Sequence, residues 1–415
     1  MRKTITFIAA TAALLLAASC NKDATKVFVP EENNQIAFGT YAARSTKTGA
    51  AGLMDATLLQ NAGFGVFGYH TDASAGKTGY DQTALPNFMY NQQVSYSGGA
   101  WTYTPVKYWP NEHGSSAESA NVDKVSFFAY APYVASPVAD SEGINAITGN
   151  TVAGDPKVTY KVAAKPEDNV DLVWAVAENA TSWVSANTGT TVDIAAGMPF
   201  IDLVKPKTNG TINFFFKHAT SKLKLNVKSI FDEGPTAGTT KITIGSVVIK
   251  GDFARGGVLN LNNTAANTAL WESKTYDSTN PANETVLTIN GTNNMRASLV
   301  DAGNVAYASQ PEGVTTEIQP LMADNMQFNL IPGSIKSVTI TYYVTTTDAN
   351  LNGGYSRIEN VITKTFATPL ALENNKAYTL NLQLGMTSVK VAAAVSGWDE
   401  QEATIVDLPA NVSGS

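Results

Sequence analysis

Apolar and polar residues alternate over short stretches along most of the chain. The alternation is clearest in three segments: Lys222–Val227, Tyr378–Leu382 and Val389–Val391. A period of two residues puts successive side chains on opposite faces, as in a β-strand with one buried face. β-Branched and aromatic residues dominate three more segments, each bounded by turn-forming residues: Val125–Tyr130, Ile242–Ile244 and Ser337–Tyr343. The pattern predicts a chain built mainly of strands.

Helical periodicity is weak throughout the sequence. The best candidate runs from Met54 to Asn61, which is enough for two turns, and Gly63 would end it. Strands and helices do not alternate in the way that builds a parallel α/β sheet. We therefore expect an all-β protein made of antiparallel sandwiches.

The first twenty residues have the pattern of an export signal. Arg2 and Lys3 precede an apolar run from Ile5 to Ala18, and small residues lead into Cys20. The run is shorter than the ~20 apolar residues that span a membrane, and no later segment is long enough either. The signal should therefore be removed rather than folded.

Cys20 is the only cysteine, so an internal disulfide is excluded. Its position directly after Ser19 resembles the site cut by the lipoprotein signal peptidase. We predict that residues 1–19 are removed and that Cys20 carries acyl chains, which anchor a protein without a transmembrane helix. The alternative is an ordinary signal peptide followed by an unmodified cysteine, since Ala17 stands where leucine is commoner.

The net charge, the three histidines and one lysine-containing turn argue against several classes of function. There are 28 basic and 35 acidic residues, a net charge of -7, and no basic run to attract nucleic acid. The histidines at 70, 113 and 218 are too far apart in sequence for a metal site, and His218 lies in a predicted strand, where packing or hydrogen bonding is expected. Gly76-Lys77-Thr78 imitates a phosphate-binding loop, but Thr71 replaces its first glycine, so it predicts a turn. We expect neither an enzyme nor a cofactor.

Without the signal, about 395 of the 415 residues remain, enough for two domains. A boundary is expected near residue 206, where Pro199, Pro206 and the turn signal Asn209-Gly210 precede a strand that begins at Ile212. The expected domains are residues 45–205 and 206–402.

Aromatic and small residues recur in characteristic segments across the mature chain. The segments are Gly63–Tyr69, Trp101–Tyr103, Tyr108–Pro110, Val125–Tyr133, Asp171–Ala175, Phe216–Leu223, Asn374–Leu380 and Val391–Trp398. Their joint order resembles the fimbrillin family, the subunits of type V pili and related lipoproteins. The resemblance implies two transthyretin-like antiparallel β-sandwich domains in tandem. Aromatic residues at strand spacing are core formers first; the alternative is a platform for stacking sugars.

The resemblance also implies a route of assembly. Such subunits are exported to the outer membrane as lipoproteins, and a trypsin-like protease removes their first strand. Residues 20–44 would form this propeptide, and its strand would carry Ile36, Phe38 and Thr40. We expect cleavage between Arg44 and Ser45, because a trypsin-like pocket recognises arginine through charge-assisted hydrogen bonds. Lys47 is the second choice, and the alternative is that Arg44 is only a loop charge.

A C-terminal strand of a neighbouring subunit would then enter the vacated groove. Residues 403–415 form the candidate donor tail, with Thr404, Val406 and Leu408 on one face. The alternative is a last strand that closes its own domain, a role that Val389–Val395 already suits.

The expected function is therefore that of a surface-exposed pilus subunit that supports adhesion and becomes part of a fimbria after processing. Its expected partners are other pilus subunits, the processing protease and a host or glycan receptor. Two rivals stay open. One is an outer-membrane lipoprotein that does not polymerise, serving as anchor, tip adhesin or glycan-binding protein through the aromatic loops between Tyr96 and Trp109. The other is a β-sandwich hydrolase.

Overall fold

The computed structural model describes residues 35–40, 54–110, 122–186, 189–207, 210–230, 239–279, 282–292, 295–323, 326–386, 388–398 and 404–407. In these residues strands dominate, as the alternation predicts. The strands up to residue 218 are β1 (Ala37–Thr40), β2 (Phe64–Thr71), β3 (Met89–Ser97), β4 (Ala100–Thr102), β5 (Lys124–Ala131), β6 (Gly143–Ile147), β7 (Lys157–Lys161), β8 (Val173–Val176), β9 (Thr181–Val184), β10 (Thr191–Ile194), β11 (Phe200–Leu203) and β12 (Thr211–His218).

The strands of the second half include the longest of the chain. They are β13 (Ser221–Ser229), β14 (Thr240–Gly251), β15 (Gly256–Asn260), β16 (Leu270–Thr275), β17 (Ser278–Thr279), β18 (Ala282–Asn290), β19 (Gln319–Pro320), β20 (Phe328–Leu330), β21 (Ser334–Thr347), β22 (Tyr355–Ala371), β23 (Lys376–Leu384), β24 (Val389–Gly397) and β25 (Thr404–Asp407). The six segments in which alternation or β-branched and aromatic residues predict strands each lie in one of these elements. The prediction of an all-β chain is confirmed.

The helical elements are short. Helix α1 (Ala56–Ala62) lies where two helical turns were predicted. Its N-terminus is capped by the Asp55 side chain, which accepts a hydrogen bond from the Leu58 amide at 2.8 Å. Gly63 ends it with a φ of 66°, a conformation that glycine adopts at little cost. Three-residue 3₁₀ helices occupy Ala73–Ala75, Pro166–Asp168 and Tyr307–Ser309, and the first of them, closed by Gly76, is the turn expected at Gly76-Lys77-Thr78.

The first large sheet has the strand order β1-β12-β8-β5-β2-β3-β4, with β11 also paired to β5. Its central strand β5 is buried along almost its whole length, whereas β12 alternates half-buried and buried residues because one of its faces is covered. The strands β9 and β10 form a separate hairpin.

The second half of the chain forms two sheets. One sheet runs β19-β13-β23-β24-β25, with β20 on β13, and the other runs β17-β18-β14-β21-β22. A further sheet, β16-β15-β7-β6, joins strands from both halves of the chain. Two pairings depart from the antiparallel expectation, because β1 lies parallel to β12 and β13 lies parallel to β23. Parallel partners must be joined by a long crossover, so sequence alternation does not reveal them.

The strand pairs around residue 206 show where the chain passes from one sheet to the next. Strand β12 follows that position, yet it pairs with β8 in the first sheet, so the change of sheet falls between His218 and Ser221. The larger apolar core also contains residues from both sides, such as Tyr160, Trp174, Ile244 and Leu380. A second core lies within the first half, around Phe127 and Phe214.

Candidate functional site

Strand β1 is a short strand at one end of the first sheet. Its four residues pair in parallel with the start of β12, from Ala37 beside Thr211 to Thr40 beside Phe214. The pairs of β12 with β8 involve other residues, Phe215 to His218. Residues 35–40 are therefore part of the fold, at a place where a strand can be added or lost.

The apolar side chains of this segment are buried in the smaller core. Ile36 has no exposed surface and Phe38 is 5% exposed. The Phe38 ring stacks on Phe214 with 5.5 Å between centroids and meets the edge of Phe127 at 5.7 Å. Tyr103 lies 5.3 Å away and Phe64 6.4 Å away. Without β1, these four rings would line an apolar groove beside the exposed edge of β12.

Polar contacts fix the position of β1 across the groove. The Tyr103 hydroxyl donates to the Ile36 carbonyl at 2.8 Å, and the Ile36 amide donates to the Lys107 carbonyl at 2.9 Å. At the other end the Trp101 indole Nε1 donates to the Thr40 hydroxyl at 3.1 Å. Burial raises the pKa of Tyr103 above its ordinary value, and its hydrogen bond with the Lys107 backbone opposes that rise. The phenol therefore stays protonated and remains a donor.

These contacts come from strand β4 and the segment that follows it, so the first sheet bends until its two ends approach each other. Trp101 and Tyr103 are two residues apart, and both meet β1. Sequence reasoning treated them as core aromatics and missed this role. Their i, i+2 spacing was the signal for a shared face, but nothing in the sequence identified the strand opposite.

The free energy gained by burying Ile36 and Phe38 can be compared with the backbone entropy lost when their segment is ordered. Burying an Ile or Phe side chain contributes about 1.5–3 kcal/mol, so Ile36 and Phe38 together contribute about 3–6 kcal/mol. The five residues from Ile36 to Thr40 lose about 1–2 kcal/mol each in backbone entropy when they are ordered. The two ranges overlap, so the pairing with β12 and the hydrogen bond to Lys107 decide how firmly the segment is held.

The candidate donor segment also lies at a sheet edge. Strand β25 pairs in antiparallel fashion with β24 of its own chain, from Thr404 beside Val395 to Asp407 beside Ala392. It is the last strand in the order β19-β13-β23-β24-β25. Thr404 and Val406 thus belong to a terminal strand of four residues, whereas Leu408 lies outside the described residues. In this structure the segment therefore pairs within its own chain, as a strand that closes its own domain would.

A buried histidine–aspartate contact ties together the chain segments next to these two strands. His218 Nδ1 lies 2.8 Å from Asp171 Oδ2, and the same oxygen accepts the Met54 amide proton at 2.8 Å. The His218 ring stacks on Trp398 with 4.1 Å between centroids and 14° between planes. Met54 begins the described chain after the expected cleavage region, and Trp398 directly follows β24. The prediction that His218 is packed and hydrogen-bonded is confirmed.

The residues predicted for lipidation and cleavage are not among the described ones. Cys20, Arg44, Ser45 and Lys47 lie outside the described residues, so lipidation and cleavage stay predictions. Within the described part of the chain, no three metal-ligating side chains come together. The same residues contain no helix that is both long and apolar enough to cross a membrane.

The aromatic residues of the first half are mostly core, as their spacing predicts. Phe67, Tyr69, Phe127 and Tyr130 are at most 1% exposed. Tyr108 differs, because its side chain is 61% exposed beside the Gln35 bridge. The expectation of core packing therefore holds for most of the set, with an exposed aromatic near β1.

Comparison with known proteins gives relatives of one kind. No family model matches the chain. Over 163 residues it is 31% identical to the fimbrium subunit Fim1C of Phocaeicola vulgatus. The match covers 39% of this chain and 40% of that protein, so the chain spans less than half the length of the curated relative.

A solved structure extends the likeness to the whole fold. A fimbrial protein from Bacteroides vulgatus has a TM-score of 0.57 and 20% sequence identity, over 88% of this chain and all of that one. At this identity the likeness concerns the fold. The sequence match and the shared fold together confirm the resemblance to fimbrial subunits that the order of the aromatic segments predicts.

Proposed function

We propose that this protein is a structural subunit of a cell-surface pilus that polymerises by strand exchange and supports adhesion. The observation that carries the proposal is the segment from Ile36 to Thr40, in which the edge strand β1 and the residue before it place Phe38 and Ile36 in the smaller, aromatic-rich core. The similarity to a fimbrium subunit supports the same role. In this proposal the fold consists of two transthyretin-like sandwiches, and the protein is not an enzyme.

In this proposal, proteolysis opens the groove, and burial of the groove by a new strand then drives assembly. Cutting between Arg44 and Ser45 would leave residues 20–44 attached only through β1. Loss of β1 would expose unpaired backbone groups of β12 beside the rings of Phe64, Phe127 and Phe214. An incoming strand satisfies those groups and covers the rings again, so burial favours the joined state.

The donor in this scheme is the tail from residue 403 to 415. Strand β25 is held by only four pairs at the edge of its sheet. It would leave β24 and insert into the groove of the next subunit, offering Thr404, Val406 and Leu408. Its departure leaves β24 paired with β23 through nine residue pairs, so the rest of the sheet is kept.

The signal pattern and Cys20 support a proposal for export and location. The acylated Cys20 would hold the unprocessed protein at the outer membrane, and cleavage would free it from that anchor. The proposed partners are the trypsin-like protease and the neighbouring pilus subunits. The mature protein would then lie in a fimbria on the cell surface.

The test is ladder formation by the full chain in the presence of a trypsin-like protease. Arg44→Ala should abolish the high-molecular-weight ladder, and mass spectrometry of the unaltered protein should find Ser45 as the mature N-terminus. Lys47→Ala reports on the second choice of site. Arg296→Ala removes an arginine elsewhere and serves as the matched control. Undiminished ladders from the Arg44→Ala, Lys47→Ala double variant would refute the proposal.

The alternative of a lipoprotein that does not polymerise rests on a different observation. Tyr108 is 61% exposed and Tyr96 36% exposed, so both rings are accessible to a ligand at the surface. In that role the protein would keep the acylated Cys20 and act as an anchor, tip adhesin or glycan-binding protein. A monomer with an intact N-terminal lipid after protease treatment would favour it.

A further inference from the structure

A cleft of about 680 Å³ lies away from β1, near the carboxyl end of β12. Its walls come from Lys217 on β12, Trp271 and Lys274 on β16, and the turn from Leu372 to Lys376. The volume falls within the ~300–1,000 Å³ typical of small-molecule sites, which often lie where two parts of a fold meet. We name it the lysine cleft after Lys217, Lys274 and Lys376.

The charge of the lysine cleft is opposite to that of the protein. Three lysines line it and Glu373 is the one carboxylate among the lining residues, in a chain with a net charge of -7. Lys274 is half-buried, and its ammonium donates to the Pro332 carbonyl at 2.8 Å. Burial lowers the pKa of Lys274, an effect that the charge of Asp252 opposes. A cation with reduced hydration gains more from a bound anion than an exposed one does.

One lining residue of the cleft, Trp271, has its indole ring held in one orientation. Trp271 Nε1 donates to the Ala219 carbonyl at 2.8 Å, so its polar edge is already used. Gly257 allows the ring to lie against β15, because a Cβ atom at that position would come within 3.1 Å of the indole Cε3 atom. The half-buried ring therefore offers mainly apolar surface to the cleft.

The walls are fixed by hydrogen bonds before any ligand arrives. The Asn374 side chain accepts from the Ala269 amide at 3.4 Å and donates to the Asn267 carbonyl at 3.1 Å. Asn375 accepts from the His218 amide at 3.3 Å through its side chain. A preformed site loses less entropy on binding than a flexible one.

We propose that the lysine cleft binds a carboxylate-bearing sugar. The sugar ring packs on Trp271 and its carboxylate lies among the ammonium groups of Lys217, Lys274 and Lys376. A compact cleft with one flat ring suits a saccharide better than a peptide, because peptides are recognised along sheet edges or extended grooves. The inference is independent of strand exchange, and the unprocessed monomer is sufficient to test it.

The probe is trigalacturonate, titrated into the full chain by isothermal calorimetry. Its methyl ester has the same rings without the charges and is the matched ligand control. Lys274→Met keeps an apolar stem and removes the charge, and it should weaken binding about tenfold, the equivalent of one charge-assisted hydrogen bond. Lys274→Arg should retain most of the affinity. Lys364→Met, a change of the same kind on the edge strand β22, should leave it unchanged.

Several results would overturn the inference. Equal affinity for the acid and its ester would exclude recognition of charge. Unchanged binding by Lys274→Met, with an unchanged melting temperature, would place the ligand elsewhere. Binding of an acidic peptide but not of trigalacturonate would assign the cleft to a polypeptide partner and refute the sugar.

Discussion

Replacing Phe38 with alanine should loosen β1 while leaving most of the fold intact. The ring is 5% exposed and lies within 6.4 Å of four other aromatic rings. Burial of a Phe side chain contributes about 1.5–3 kcal/mol, and the cavity left behind raises the total cost of Phe→Ala to about 3–5 kcal/mol. Because β1 is a short strand at the end of its sheet, this cost should appear first as local opening.

Amide hydrogen exchange of the intact chain measures that opening. The free energy of opening at the β1 amides should fall by up to about 3–5 kcal/mol, limited only by how stable β1 was at the start. Tyr108→Ala is the aromatic control, because its exposed side chain should contribute less than about 0.5 kcal/mol. A loss below about 1 kcal/mol for Phe38→Ala would refute the account of the groove as the anchor of β1.

Two further changes test the polar side of the fold. Tyr103→Phe removes the hydroxyl that donates to Ile36 and should reduce β1 protection by about 0.5–1.5 kcal/mol in the same exchange experiment; unaltered protection would contradict the proposed contact. In the structure the Tyr80 amide donates to Asp202 Oδ1 at 2.7 Å, and Asp202→Asn keeps an oxygen that can accept this hydrogen bond. Burial raises the pKa of Asp202, so its contribution to stability falls as pH rises through its unfolded and then its folded pKa. The variant should therefore gain stability relative to the original protein between pH 3 and pH 7 in urea titrations, and a constant difference would contradict this.

Local patterns in the sequence were sufficient to predict most strands and the helix. The alternation of Lys222–Val227 became β13, and Asp55 and Gly63 enclose α1 where two turns were expected. Such features depend on neighbours in sequence, which is why they can be predicted.

Partnerships between distant segments could not be predicted in the same way. Strand β13 lies parallel to β23, with Leu225 beside Leu380, more than a hundred residues later. The contact of Tyr103 with the Ile36 carbonyl likewise depends on the bend of the first sheet. Many strands in this chain have similar alternation, so apolar pattern does not distinguish one partner from another.

The pairing of β15 with β7 has a mechanical consequence. Five residue pairs, from Gly256 beside Lys161 to Asn260 beside Lys157, link the late part of the chain to the early part. A pulling force that separates the early part of the chain from the late part would have to break these hydrogen bonds and open the shared core at the same time. The protein should therefore resist such tension as one stiff body, without the hinge swing that separate domains allow.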